Sequence, residues 1–383
     1  MEYLYACHGN RHRAGPSRDT EDFMIANSFV TNAWYVAGLS AEFATNKLHG
    51  MVIAKKPIVI WRTSEGKVVA FDDRCVHKRM PLSCGRLMEN GTLECAYHGF
   101  TYDGNGQCVK TPSQPDHPIP SRAKLKPFPV IEQEGAVWVW AGDPDKMGKA
   151  RPPRTPELTS GEWETYACPP MSLACNYRLL IENLLDVTHF YPLHDGNIGD
   201  LAASSIPIEF VEHEVEGNPS VMTIREVQNY RHPPFLIDWF GYETVDRHHS
   251  HCMSNPGLTR VRLRCAPPGE LATKAERGYI LHHTHTPVDE THHVWRWIVS
   301  VPKGQRAADG KTPSIERIKE MFPGVVDQDR WALERQQQMF NLPDDGYQEV
   351  HLRADKSILI LRKILESLEK GVTKDPNKSW LAA

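Results

Sequence analysis

The sequence predicts an α+β protein in two parts, a small antiparallel β-domain followed by a larger region that mixes strands with helices. Three observations predict it. Short segments rich in β-branched and aromatic residues and bounded by turn residues, VVAFDDRC, TLECAYH and AVWVWAG, dominate the N-terminal part. The stretch DPDKMGKARPPRTPELTSGEW is dense in Pro, Gly and charge and reads as a boundary. Beyond it come a helical segment around 176–190, alternating strands in SVMTIREV, TRVRLRCA and HHVWRWIVSV, and two helical stretches near the C-terminus.

The chain as a whole sets the limits. Its 383 residues suffice for two domains and a sizeable core. A formal net charge of −4 gives no reason to expect a nucleic-acid partner. No apolar run approaches the roughly 18 residues of a membrane span. The opening MEYLYACHGNRHRAGPSRDTED lacks the apolar core of a secretion signal, which predicts a cytoplasmic protein. Residues 1–28 show no repeating apolar pattern and read as an extension, either a mobile arm or an ordered addition. Nine cysteines in so long a chain do not suggest a disulfide scaffold. Cys7, Cys84, Cys108, Cys168, Cys175, Cys252 and Cys265 are expected to be free thiols. Repeats and low-complexity tracts are absent from the sequence.

Within the first domain, Cys75 and His77 in CVH are separated by seventeen residues from Cys95 and His98 in CAYH. Two thiolates and two imidazoles are what a Rieske [2Fe-2S] centre needs, two cysteines on one iron and two neutral histidines on the other. The same four residues form a tetrahedral zinc set. Zinc fingers usually pair like with like on separate arms, whereas here each arm supplies one thiolate and one imidazole, which favours the cluster. PLSCGRL and YHGFTYDGNGQC are rich in loop-forming residues, suited to wrapping a cluster and presenting backbone donors to its sulfurs.

The second domain begins with NYRLLIENLLDVTHFYPLHDG, residues 176–196. Leu180, Leu184 and Val187 follow the i, i+4, i+7 rule of an amphipathic helix. Asn183, Asp186 and His189 recur every three residues as a polar stripe. Pro192 is expected to end or bend this helix and let His194 swing back towards His189. The string also describes a polar helix face with two surface histidines, and the residues alone leave both readings open.

The segment from Phe29 to about Gly142, with NAWYVAG, CVHKRMPLSCG, CAYHGFTYDGNGQCV and VWVWAGDP, resembles the Rieske domain of the aromatic-ring-hydroxylating and demethylating oxygenases. Within that family the similarity points to the vanillate and dicamba O-demethylase branch. The resemblance implies a Rieske [2Fe-2S] domain over 29–145 and, over 146–383, a helix-grip-like domain whose antiparallel sheet and helices enclose a mononuclear non-heme Fe(II). It implies His189 and His194 as iron ligands. It also implies Asp186 as the bridge from a ligand histidine to His98 of a neighbouring subunit, with Asn183 a further candidate beside it. DQDRWALERQQQ reads as a helix with an acid-rich start and matches the family pattern of an aspartate five residues before a glutamate, here Asp329 and Glu334. Asp329 is thereby the third ligand. Asp327 would face another side of the helix and stands second, Asp195 is too near His194 in sequence, and dipole complementation at a helix start is the competing reading for any such acid. Two departures are plain. Lys78 and Arg79 occupy the positions of the family's usual arginine and glycine, and Met80 stands where respiratory Rieske proteins have a disulfide cysteine.

Other clusters carry less. RHHSHC, His248 to Cys252 at its core, lacks a partner pair and reads as a solvated histidine-rich loop. His282, His283, His285, His292 and His293 lie in or beside strand-like stretches, with His283 and His285 on one face. The position of His283 before ThrPro resembles a substrate-contacting histidine of the dicamba enzyme. Trp295, Trp297 and Trp331 suit either an apolar pocket or ordinary core.

The resemblance implies the terminal oxygenase component of a multicomponent Rieske monooxygenase, a homotrimer that uses O2 to O- or N-dealkylate a small aromatic substrate. No GxGxxG follows a strand and no plant-type ferredoxin cysteine set is present, so NAD(P)H electrons must arrive through a ferredoxin and/or a flavin reductase. An aromatic ring hydroxylating dioxygenase would use the same iron site. A Rieske-type electron carrier would need only the first domain and leave the second unexplained.

Overall fold

The computed structural model describes residues 29–44, 46–199, 201–343, 346–371 and 378–382, so the extension 1–28 and Cys7 lie outside the described residues. The N-terminal half comprises β1 (Trp34–Leu39), β2 (His49–Ile53), β3 (Lys56–Arg62), β4 (Val68–Asp72), β5 (Arg86–Leu87), β6 (Leu93–Glu94), β7 (Thr101–Tyr102), β8 (Cys108–Lys110), β9 (Pro127–Phe128), β10 (Val130–Gln133) and β11 (Ala136–Trp140). They form three antiparallel sheets, in the orders β1-β11-β10, β2-β3-β4-β9 and β5-β6-β7-β8. Strand β11 is apolar throughout because both of its faces are buried. Val137 and Val139 enter one core, Trp138 and Trp140 another. From 143 to 162 the chain makes only short 3-10 turns.

The C-terminal half runs β12 (Trp163–Ala167), β13 (Met171–Leu173), α1 (Tyr177–Leu185), α2 (Phe190–His194), α3 (Leu201–Ser204), β14 (Glu209–Val215), β15 (Asn218–Arg231), α4 (Pro234–Phe240), β16 (Thr244–Asn255), β17 (Leu258–Ala266), β18 (Arg277–Asp289), β19 (His292–Pro302), α5 (Ser314–Phe340) and α6 (Lys356–Lys370). One antiparallel sheet, β12-β19-β18-β17-β16-β15-β14 with β13 also on β19, carries α1, α4 and α5 on one face. Leu180 and Leu184 of α1, Trp239 of α4 and Phe322 and Leu333 of α5 pack there against Val261, Leu263, Trp295 and Trp297. This is the α+β arrangement expected from the sequence. No helix among the described residues is long and apolar enough to cross a membrane. None of the described cysteines is in a disulfide.

The two halves share a core. Tyr35, Ile58, Ile60, Val137 and Val139 pack with Tyr177, Ile181 and Leu185 of α1 and with Ile360, Leu361 and Leu365 of α6. Burying each such side chain is worth about 1.5–3 kcal/mol. Backbone bonds add to the seam, with Ala54 N–H donating to the Pro287 carbonyl at 2.7 Å and Lys55 N–H to that of Val288 at 2.9 Å.

Two expectations about helices are corrected. The helix that begins at Asn176, whose side chain caps it by accepting from Arg178 N–H at 2.9 Å, ends at Leu185, before Pro192. The cause is Asp186. Its Oδ1 accepts from Thr188 N–H at 2.7 Å and from the Thr188 hydroxyl at 2.6 Å, a local turn that competes with the helix. Pro192 then lies in the first turn of α2, where a missing N–H leaves nothing unsatisfied. The acid-rich segment at 327 is likewise no helix start. It lies in the second half of the 27-residue α5, which runs on through Pro323.

Candidate metal centres

Two loops of the same design carry the cysteine and histidine pairs. Cys75 N–H donates to the Met80 carbonyl (3.0 Å) and Arg79 N–H to that of Cys75 (2.8 Å). Cys95 N–H donates to the Phe100 carbonyl (2.8 Å) and Gly99 N–H to that of Cys95 (3.1 Å). Both loops need a left-handed fifth residue, Arg79 at φ +58° and Gly99 at φ +70°. Glycine takes that conformation freely, whereas arginine is strained in it. The departure at Arg79 is therefore a point of strain.

The loops bring the thiols of Cys75 and Cys95 together, both buried, and set the His77 and His98 rings 4.4 Å apart at the surface. Burial raises the Cys95 thiol, and the Cys75 thiol beside it adds to this, so ligation must expel a proton. Loss of water, His98 and Lys78 lower His77, which keeps the ring neutral as a ligand must be. The Tyr102 hydroxyl lies 3.1 Å from Cys75 Sγ, placed to donate to that sulfur once it is a thiolate. A single zinc with bonds of about 2.0–2.3 Å would draw all its ligand atoms within about 4 Å of one another. Among the described residues the one group of three or more ligand atoms within 4.8 Å of one another is elsewhere. Two thiols and two rings standing as separate pairs fit a two-iron cluster instead.

That other group is His189, His194 and Asp329. His189 enters at the N-cap of α2 and His194 at its end, one turn later, with their rings 5.1 Å apart at 72°. Helix α5 brings in Asp329, whose Oδ1 lies 3.2 Å from His194 Nε2 and 3.6 Å from His189 Nε2. Asn183 Nδ2 donates to the same oxygen at 3.0 Å. His194 Nδ1 donates to Gln328 Oε1 at 2.8 Å, which fixes the tautomer and turns Nε2 towards the carboxylate. Burial lowers the pKa of both histidines. In His189 burial prevails, while in His194 the hydrogen bond and charge of Asp329, with Gln328, reverse it and raise the pKa. Two Nε2 atoms and one carboxylate on a buried point are the donor set of a facial triad.

Other candidates fall in several places. Asp327 and Asp195 are exposed and outside this group. Asp186 is half-buried, with Oδ2 3.9 Å from His189 Nδ1. Among the described residues no hydrogen bond or ion pair joins it to His98 within the chain. His283 is buried on the helix-bearing face of the sheet and accepts from Trp295 Nε1–H at 3.2 Å. His285 and His293 are core histidines whose Nδ1–H groups donate to the Pro256 and Cys175 carbonyls. Trp295 and Trp297 are core, but Trp331 is 60 % exposed.

RHHSHC is not a solvated loop. It belongs to β16, where alternation turns Arg247, His249 and His251 inward. His251 Nδ1–H donates to the Leu184 carbonyl (2.6 Å), so its Nε2 accepts from His249 Nε2–H at 3.1 Å. Phe190 lies against both rings, which makes them neighbours of the triad. Histidine-rich composition hid them. The unbroken period of two through Met253 was the available signal.

Comparison with known proteins agrees with this geometry. Residues 33–129 match the Rieske [2Fe-2S] domain, and residues 173–371 match the vanillate O-demethylase oxygenase C-terminal domain. A putative toluene-4-sulfonate monooxygenase system iron-sulfur subunit of Comamonas testosteroni is 31% identical over 89% of this chain and 97% of its own. The oxygenase component of dicamba O-demethylase from Stenotrophomonas maltophilia is 34% identical over 54% of this chain and 62% of its own. The crystal structure of dicamba monooxygenase bound to dicamba superposes with a TM-score of 0.75 at 27% identity, covering 89% of this chain and 98% of that one. Sheet, helices and both metal loops together define a Rieske non-heme iron oxygenase. The chain belongs to the family of Rieske oxygenases with a vanillate O-demethylase type C-terminal domain. It is an oxidoreductase, the oxygenase component of a multicomponent monooxygenase that uses a [2Fe-2S] cluster, a mononuclear non-heme iron and O2, with aromatic substrates and separate electron donors.

Proposed function

We propose that this oxygenase removes an alkyl group from oxygen or nitrogen of a small aromatic substrate, with Cys75, His77, Cys95 and His98 holding the cluster and His189, His194 and Asp329 the iron. The observation that carries the assignment is that ligand atoms of His189, His194 and Asp329 lie within 4.8 Å of one another, with His194 and Asp329 buried. Bound there, ferrous iron supplies dioxygen activation at its open positions. The protein's own residues prepare that bite. Gln328 fixes the His194 tautomer, and the Asn183 amide holds the carboxylate oxygen in place. Asp186 stands behind the far nitrogen of His189.

The bridge between cluster and iron, from His98 to Asp186, is taken to run between subunits, a reading supported by both residues reaching the surface and by the lack, among the described residues, of a bond joining them within the chain. A head-to-tail contact that closes after three copies gives a homotrimer in which each cluster serves its neighbour's iron. Domains 29–145 and 146–383 divide the two tasks. A ferredoxin and/or flavin reductase brings the electrons in the cytoplasm, and His283 touches the substrate. Dealkylation follows from placement: hydroxylating the carbon attached to O or N gives a hemiacetal or hemiaminal, which collapses to an aldehyde and the dealkylated arene. The relative named as an O-demethylase supports this choice over ring hydroxylation. The test is product analysis with added reductase and ferredoxin on a panel of methoxy- and N-alkyl-arenes. Aldehyde released in step with NADH consumption is expected, and a cis-dihydrodiol without aldehyde would overturn the reading.

A further inference from the structure

Strand β18 meets the N-terminal half of the chain at Pro287 and Val288, while its other end, at Arg277, borders a basic cleft. β18 and β19 are paired, with Ile280 opposite Ser300, so the connection leading into β18 and the one leaving β19 meet at that end of the sheet. Between them opens a cleft of about 520 Å³, within the range of small-molecule sites, roughly 300–1,000 Å³. One wall supplies Lys274 and Arg277, the other Lys303 and Arg306. Among the described residues no carboxylate lies within ion-pair distance of these cations. Glu276 also lines the cleft, but Arg264 forks onto it at 2.8 and 2.6 Å. Glu164 reaches only the rim, where its Oε1 accepts from Gly304 N–H at 3.3 Å. The chain as a whole has more acidic than basic residues, 48 against 44, so this excess of positive charge is local.

A second observation points the same way. Gln305, a lining residue of the cleft, is only 6% exposed. Its Oε1 accepts from Gly278 N–H at 3.0 Å, and its Nε2 is enclosed without a hydrogen-bond partner. A buried amide with idle donors is costly unless an acceptor meets it. Donors and cations gathered on two walls call for a ligand with several anionic oxygens. Each wall offers one lysine as a point charge and one arginine as a planar fork, the pair of groups that phosphate oxygens favour. A single carboxylate would leave most of that charge unmet. The cleft also stands apart from the iron ligands. Ser314 N–H donates to the Gln305 carbonyl at 3.0 Å, so the cleft borders the start of α5, and Asp329 lies about 22 Å further along that helix.

We infer that this cleft binds a small organic diphosphate, held between Lys274 and Arg277 on one wall and Lys303 and Arg306 on the other. The site goes beyond the proposed function and does not depend on it. It is tested by calorimetric titration of the iron-loaded, cluster-containing enzyme with ADP, with adenosine as the uncharged counterpart, at about 0.15 M salt. ADP should bind with one site per chain, roughly tenfold or more tighter than adenosine, and more weakly as salt is raised. Arg277→Gln and Lys303→Gln, one cation from each wall, should each weaken ADP about threefold, and together about tenfold. Lys67→Gln, which removes an exposed lysine from the N-terminal half, should leave ADP binding unchanged. Iron content and cluster absorbance are followed throughout and should stay constant, which shows that ADP has not extracted the metal. If the double variant does not fold, the single variants decide: weaker binding in either supports the site, and wild-type binding in both overturns it. No binding of ADP, equal binding of ADP and adenosine, or loss of iron on titration would also overturn it. So would wild-type binding by the double variant, which would put ADP elsewhere, or an equal loss in Lys67→Gln, which would reduce the effect to diffuse charge.

Discussion

Replacing Arg362 by methionine should loosen α1, the helix that carries Asn183 beside the proposed iron ligands. Arg362 of α6 forks onto Glu182 of α1, Nε to Oε1 and Nη2 to Oε2, both at 2.8 Å, while Nη1 holds Glu349 at 2.6 Å. The paired side chains are only 11% and 13% exposed, so water does little for either charge. Burial already holds the Glu182 carboxyl above its ordinary value, against the pull of Arg362. Breaking one side of such a pair costs about 3 kcal/mol, the low end of the range for buried pairs, because some water access remains. A carboxyl whose pKa rises on folding binds protons more tightly in the native state, so stability falls as pH rises from the unfolded value of about 4.3 towards the folded one. Arg362→Met raises the folded value further. Its deficit against the wild type should therefore be small at about pH 5, close to the unfolded value, and largest at neutral pH. Urea unfolding followed by tryptophan fluorescence measures both. The double variant Glu182→Leu, Arg362→Met removes the stranded charge and should recover most of the loss. A deficit below about 1 kcal/mol at neutral pH, or a double variant no better than the single one, would refute the reasoning.

Asp329→Ala should lose the mononuclear iron and nearly all turnover while the cluster spectrum is kept, and a variant with wild-type iron content would remove Asp329 from the ligand set. Tyr102→Phe deletes the hydroxyl 3.1 Å from Cys75 Sγ, and the cluster potential should fall by some tens of mV in protein-film voltammetry; an unchanged or higher potential contradicts a donated bond. Arg79→Gly relieves the left-handed strain at φ +58° and should stabilise the protein by about 0.5–1 kcal/mol, seen as a small rise in Tm, whereas a fall would show that the arginine side chain outweighs its backbone.

The sequence revealed most where chemistry demands fixed residue types at short range. Cys75, His77, Cys95 and His98 stand out because the proposed cluster ligation needs two thiolates and two imidazoles on two adjacent loops. His189 and His194 were readable only beside them. Their local geometry was not, since a proline draws attention as a helix breaker while an aspartate that captures Thr188 does the breaking. Asp329 needed the family pattern, because α5 arrives from far along the chain and only tertiary packing places its carboxylate. The inward row of β16 was missed because polar residues on a buried face make sense only once the opposing helix is present.

The core that runs across both halves bears on how such enzymes can be rebuilt. Cutting the chain after residue 145 would present Tyr35, Ile58, Ile60, Val137 and Val139 to water together, an apolar patch of the kind that drives aggregation. The electron entry point is thus no portable cassette. A chimera that exchanges it between relatives will keep a soluble, coloured product only if the facing side chains of α1 and α6, Tyr177, Ile181 and Leu365 among them, are exchanged with it.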